Sequence, residues 1–109
     1  MRLIDVASVI RSKNAGPYEL TLDVVFKTRR WFDHAVQTNL LNPALICRLY
    51  GVREEDVLRV VHFGPANAIK VTLRRLIVSG SIGETDVYGA QQHVPLLDLV
   101  LATPSPDNR

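Results

Sequence analysis

The chain has 109 residues, of which 47% are hydrophobic and 22% are charged. Its length suits a single domain, and its composition excludes disordered, collagen-like and low-complexity chains. With 13 Lys and Arg residues against 11 Asp and Glu residues, the net charge of +2 gives no case for a nucleic-acid partner. We expect one domain over residues 1–102 and a loose, proline-containing tail over residues 103–109.

The cysteine count and the hydropathy pattern indicate the cellular compartment of the protein. Cys47 is the only cysteine, which excludes an internal disulfide and a site built from several thiolates. Asp5, Ser8 and Arg11 interrupt the apolar N-terminus before it reaches the length of a signal-peptide core. The longest apolar runs are the size of a strand and far shorter than the roughly 20 residues that span a bilayer. We therefore expect a cytoplasmic protein with no membrane partner.

Gly and Pro residues separate segments of regular hydrophobic period, which predicts the elements in chain order. The predicted elements are strands over residues 3–10 and 18–26, a helix from Thr28 to about Asn39, a short helix from Asn42 to Gly51, and strands over residues 57–63, 68–78 and 96–102. Thr28 and Asn42 are expected N-caps, and Gly51 is expected to stop the second helix. Residues 79–95 form a long polar connection.

Alternation within the strands predicts which residues face the core. One face of the strand over residues 18–26 is apolar, and it is formed by Leu20, Leu22, Val24 and Phe26. The strand over residues 57–63 is predicted to place on one side Val57, Val61 and Phe63. It is expected to form a hairpin with the strand that follows. This order predicts an α+β, ferredoxin-like two-layer sandwich, in which one or two helices cover one face of a mainly antiparallel sheet.

Residues 11–17, with the sequence Arg-Ser-Lys-Asn-Ala-Gly-Pro, concentrate hydrogen-bond donors between the first two predicted strands. The candidate binding residues are Arg11, Ser12, Lys13, Asn14 and Gly16. They offer two cations, a hydroxyl, an amide and a glycine that permits close backbone approach. This mixture indicates a pocket for a small anionic metabolite, and the alternative is an ordinary polar β-turn. The segment lacks Walker spacing, so it does not predict a phosphate loop.

Residues 86–93 form a second concentration of polar groups in the long connection. Its candidate residues are Asp86, Tyr88, Gln91, Gln92 and His93. An imidazole changes its charge near neutral pH, so His93 suits proton transfer, with Asp86 or a glutamine fixing its tautomer. The alternative is an exposed loop histidine with no chemical role.

The remaining histidines and Cys47 are weaker candidates. His34 is expected to be solvated, away from the apolar stripe of its helix, and His62 is expected to be a hydrogen-bonded residue of the sheet. The three histidines lack metal-binding spacing, so we predict neither a metal site nor a cofactor. Cys47 has no neighbouring base in the sequence and is expected to be structural.

Five segments carry a resemblance to a known family: residues 11–17, 48–51, 54–57, 68–70 and, above all, 86–93. Over residues 1–102 the chain resembles a small bacterial family of unknown function. That family is similar to the C-terminal ferredoxin-like domain of the acyclic terpene utilisation A proteins, which carry an Arg-Ser-Gly-Asp-Lys-Gly loop in place of residues 11–16. Here Lys13, Asn14 and Ala15 replace its Gly, Asp and Lys, so no role of that Asp is carried over.

The resemblance also implies a partner, because members are often encoded beside a large protein similar to the rest of the terpene utilisation protein. The leading hypothesis is a small subunit or accessory domain of a catabolic enzyme complex that acts on a carboxylate or acyl-CoA substrate. In this hypothesis Arg11 and Lys13 hold the anion, Asn14 and Gln91 or Gln92 orient it, and His93 or Asp86 moves a proton.

The alternative is a stand-alone module, or a small homo-oligomer, that binds an anionic metabolite without catalysis. No pair of nucleophile and base can be recognised in the sequence, so catalysis by the isolated chain is not expected.

Overall fold

Four antiparallel strands form one sheet in the computed structural model, which describes residues 1–16, 18–74, 94–97 and 99–101. The elements are α1 (Leu3–Val6), β1 (Ala7–Gly16), β2 (Glu19–Phe26), α2 (Arg29–Gln37), α3 (Pro43–Tyr50), β3 (Val57–Phe63), β4 (Ala68–Arg74) and α4 (Val94–Leu97). The strands lie in the order β1, β2, β4, β3. The predicted α+β class, with an antiparallel sheet and helices, is confirmed.

The path of the chain creates a crossover in the middle of the sheet. Strands β2 and β3 are both antiparallel to β4, so they run parallel to each other with β4 between them. The two helices α2 and α3 connect β2 to β3. This is the split βαβ arrangement of ferredoxin-like folds. The β3–β4 hairpin is closed by a short 3₁₀ turn, Gly64–Ala66, as the sequence predicts for this pair of strands.

Helices α2 and α3 begin at the predicted caps. The hydroxyl of Thr28 accepts a hydrogen bond from the Trp31 amide at 3.2 Å, and Asn42 Oδ1 accepts one from the Leu45 amide at 2.8 Å. Each bond satisfies an amide that has no partner within its own helix. Helix α3 ends at Gly51, whose φ of 65° lies in the left-handed region that glycine adopts without steric cost.

The hydrophobic core lies between the sheet and the helices. Its strand residues include Leu20, Leu22, Val24, Phe26, Ile69, Val71 and Leu73, and its helix residues include Phe32, Ala35, Leu45 and Ile46. The four even-numbered positions of β2 are all buried, which confirms the predicted apolar face. No helix in the described ranges is long and apolar enough to cross a membrane.

The first predicted strand is wrong at both ends. Residues 3–6 form a helical turn, because Leu3 and Val6 are spaced to reach the same side of a helix and both are buried. Strand β1 then runs on to Gly16, so the segment predicted as a loop pairs with β2 as far as its end. An edge strand with one uncovered face accommodates polar residues, which is why polarity alone did not reveal this extension.

The last predicted strand, over residues 96–102, is also wrong in its described part. Residues 94–97 are helical, and the Leu99 amide donates to the Leu96 carbonyl to close the turn. The only strand-like pairing described here is one isolated bridge between Arg2 and Val100. Strand β3 differs in a smaller way. An irregularity between Val57 and Arg59 turns Val57 towards the core rather than to the side of Val61.

The cap of α3 gives a stability prediction. Asn42→Ala removes the acceptor for the Leu45 amide, and we expect the free energy of unfolding to fall by about 1 kcal/mol. Urea unfolding followed by circular dichroism measures this change. Gln37→Ala, an exposed substitution in the last turn of α2, is the control and is expected to stay within about 0.5 kcal/mol. Equal losses in the two variants would show that the cap bond does not stabilise the helix.

Candidate functional site

The face of the sheet opposite the helices, named here the open face, is crossed by three rows of side chains. In the order β1, β2, β4, β3, these rows are Val9, Val25, Ala68 and Phe63; then Arg11, Asp23, Lys70 and Val61; then Lys13, Thr21, Thr72 and Arg59. Side chains that face each other across paired strands lie on the same face and close together. The open face therefore changes from apolar in the first row to cationic in the third.

Asp23 lies at the centre of the open face, and its surroundings are electrostatically unusual. Its side chain is 7% exposed, and its Oδ2 accepts a hydrogen bond from Arg11 Nε at 3.1 Å. Lys70 is its cross-strand neighbour on the other side. A buried carboxylate needs such partners, since water cannot solvate it. Asp23 thus holds Arg11 in place from β1, and Lys70 faces it from β4.

A groove of about 270 Å³ begins at these charged residues and continues over the apolar row. Its lining is Arg11, Asp23, Val25, Val61, Phe63, Ala66, Ala68 and Lys70. Val61 and Phe63 are 43% and 54% exposed, which is high for large apolar side chains in a strand. The groove therefore has one charged end and one apolar end, both open to solvent.

The wall of the groove formed by the β3–β4 turn is anchored to helix α2. Arg29 Nη1 donates a hydrogen bond of 2.7 Å to the Gly64 carbonyl, and Arg29 Nε donates one of 3.2 Å to Asp33. The same guanidinium lies 5.1 Å from the ring centroid of Phe32, in a cation–π contact. These contacts fix the turn that carries Ala66 against the helix layer.

Positive charge predominates on the open face. The strand positions there carry five cations, Arg11, Lys13, Arg59, Lys70 and Arg74, and two carboxylates, Glu19 and Asp23. Arg59 lies 3.8 Å from Glu19, and Arg74 is in register with the same residue. The chain as a whole has a net charge of only +2, so the open face concentrates its positive charge.

The residues predicted from the 11–17 segment are divided between the two faces of the sheet. Arg11 and Lys13 lie on the open face. Ser12 and Asn14 pair with Leu22 and Leu20 on the face that the helices cover, and Ser12 is buried there. Gly16 ends the strand with a φ of 153°. The five residues therefore do not converge on one pocket, and only Arg11 of the five lines the groove.

The other predicted site residues are Asp86, Tyr88, Gln91, Gln92 and His93, and they lie outside the residues that the structure describes. That these residues share a site with Arg11 and Lys13 stays a prediction. Nothing in the sequence marks Asp23, Lys70 or Phe63 as a site residue. Alternation already placed Asp23 on the polar face of its strand, but only the strand order brings it between Arg11 and Lys70.

One of the two described histidines, His34, differs from expectation, whereas His62 lies in the sheet as predicted and pairs with Ile69. His34 is buried rather than solvated, and its ring packs edge-on against Trp31 with centroids 5.9 Å apart. It lines a second groove, of about 510 Å³, between α2, α3 and residues 99–101. The apolar stripe of α2 predicts only the side of the helix that contacts the sheet. His34 lies on another side of α2, which borders this groove. His62 is exposed near the end of β3.

Cys47 lies in the helix layer and is partly buried. Burial raises the pKa of its thiol, and the negative charges of Glu54 and Asp56 raise it further. A raised pKa leaves less thiolate at neutral pH, which makes the thiol a poor nucleophile. Among the described residues, no three of the types His, Cys, Asp and Glu lie close enough together to hold a metal ion.

The single cysteine permits a direct test of this environment. We expect the pH at which iodoacetamide alkylation reaches half its maximal rate to be higher in the folded chain than in urea, because the folded state disfavours the thiolate. Mass spectrometry of the intact chain over a pH series measures both rates. The midpoint, unlike the rate itself, does not depend on how accessible the thiol is. A lower midpoint in the folded chain would contradict the assignment.

Comparison with known proteins identifies a family for this chain. No curated protein and no solved structure shows a significant match to the chain. Residues 3–100 match the family described as Domain of unknown function (DUF4387). That range includes both grooves' strands and helices and both polar segments of the sequence. The chain therefore belongs to the DUF4387 family.

Proposed function

We propose that this chain is a small accessory subunit of a catabolic enzyme complex, and that a larger protein docks on the open face of its sheet. The observation that carries the proposal is the exposure of Val61 and Phe63 among an excess of cations. An antiparallel sheet can leave one face to water, but such a face then carries polar residues. Val61 and Phe63 are 43% and 54% exposed, so a partner that covers these two side chains lowers the free energy of the complex.

Charge complementarity supports an acidic partner surface. The third row presents Lys13 and Arg59 at opposite edges of the sheet, with two buried threonines between them. Spread cations of this kind accelerate encounter with an acidic surface and orient it. The apolar first row, on the far side of the second row, supplies the part of an interface that excludes water.

The partner in this proposal is the large protein similar to the rest of the terpene utilisation A proteins, within the cytoplasm. A carboxylate or acyl-CoA substrate would lie between the two proteins, with Arg11 on the small subunit's side. His93 or Asp86 would move the proton, as the sequence predicts, with Tyr88, Gln91 and Gln92 contributing contacts. The small chain would then complete a site that neither protein forms alone.

A second candidate function is a stand-alone module that binds an anionic metabolite without catalysis. The groove favours it, because Arg11 and Lys70 already adjoin an apolar pocket within one chain. The two candidates differ in one requirement, since only the subunit needs a protein partner for its activity. Self-association through the same open face is a further outcome that the following experiment detects.

Co-expression with the large neighbouring protein tests the subunit proposal. We expect the two chains to elute together in size-exclusion chromatography at micromolar concentration. Lys13→Glu combined with Arg59→Glu reverses two open-face charges outside the groove and is expected to weaken the complex by about tenfold or more.

Arg30→Glu combined with Arg48→Glu makes the same change in charge at exposed positions on helices α2 and α3, and is the matched control. Circular dichroism confirms that both double variants are folded. Separate elution of the wild-type chains, or equal weakening by the two double variants, would overturn the proposal. Elution of the small chain without its partner, at the apparent size of a dimer or larger, would favour the homo-oligomer.

A further inference from the structure

We propose that the open-face groove binds a small carboxylic acid with a short apolar chain, as the carboxylate anion and not as a coenzyme A thioester. This inference deepens the proposed function by naming the ligand class of the same face. It rests on three features of the groove: the occupied carboxylate at its floor, the cation opposite, and the apolar surface that follows.

The charged end of the groove selects for an anion. Among the described residues Asp23 is the one carboxylate in its lining, and its Oδ2 is already bound by Arg11 Nε at 3.1 Å. A cationic ligand would have to compete with that guanidinium. Lys70 lies across from Asp23 in register and is exposed. With Arg11 and Lys70 against one carboxylate, the charged end is net positive, so it attracts a second carboxylate.

The apolar end selects for a hydrocarbon chain. Val25, Ala68 and Phe63 follow the charged row directly, two residues along their strands, and Val61 lies at the end of the charged row beside Lys70. Val61 and Phe63 stay substantially exposed, so a bound chain buries apolar surface on both sides. A carboxylate head and a short apolar tail therefore match the two ends of the groove in their order.

The size of the groove favours a small ligand. Its volume of about 270 Å³ lies below the range of roughly 300–1,000 Å³ that holds drug-sized molecules. A coenzyme A thioester would also bring several phosphates, and the described part of the lining offers two cations for them. A carboxylate without coenzyme A fits within the groove, whereas the nucleotide part of a thioester would lie outside it.

Titration of the full chain with pentanoate tests the inference, with binding followed by ¹H–¹⁵N NMR chemical shifts. We expect saturable binding in roughly the millimolar range, because so small a ligand makes few contacts. Acetate carries the head without the tail and pentylamine carries the tail with the opposite charge, so both are expected to bind at least about tenfold more weakly. Saturable shifts are expected at residues of β2, β3 and β4.

Two variants with the same change in composition locate the site. Lys70→Met keeps the apolar stem and removes the charge, and it is expected to weaken pentanoate binding by about tenfold. Lys27→Met makes the same replacement outside the groove and is expected to leave binding unchanged. Absence of saturable binding, tighter binding of pentylamine, or an equal loss in both variants would overturn the inference.

The outcome is separable from the test of the subunit. The titration requires no partner protein, and the co-elution experiment requires no ligand. Loss of the complex with intact pentanoate binding would leave a stand-alone binding module. Formation of the complex without pentanoate binding would leave a subunit whose open face takes a protein alone.

Discussion

The register of strand β2 is the constraint on which the rest of the structure depends. It is a central strand, and both of its faces are largely buried. A shift of one residue against its neighbours would move Leu20, Leu22 and Val24 from the core to the open face. Burial of one apolar side chain contributes roughly 1.5–3 kcal/mol, so loss of these three buried side chains would cost several kcal/mol in total. The hydrophobic core thus selects one register for the sheet.

The same register determines the chemistry of the opposite face. Once Leu22 and Val24 point to the core, Asp23 must point the other way, between its partners on β1 and β4. Its burial there requires a cation, and Arg11 supplies one at 3.1 Å. Lys70, on the other side, retains an exposed ammonium for a ligand or a partner. The core and the candidate site are therefore two consequences of one strand alignment.

Local signals in the sequence predicted the fold well, whereas non-local contacts decided the rest. Thr28, Asn42 and Gly51 mark helix ends because caps and left-handed turns depend on a few neighbouring residues. His34, in contrast, is buried and lines the same groove as residues 99–101, which are far from it in the chain. The candidate site has the same non-local origin. The sequence predicted Arg11 as an anion ligand, but its neighbours Asp23 and Lys70 come from strands whose order no local pattern reveals.

The chemistry of the described part of the open face is that of recognition rather than catalysis. Its one buried carboxylate already accepts from Arg11, and its remaining charged side chains are mainly cations that attract or orient an anion. Cys47 belongs to the helix layer, and its raised pKa disfavours the thiolate. A reaction at this face therefore requires a proton acceptor from elsewhere. Either residues 86–93 supply it, with His93 as the candidate, or a partner that covers the open face does. In both cases the proposed role of the four-stranded sheet is to provide the surface that holds the acid in position.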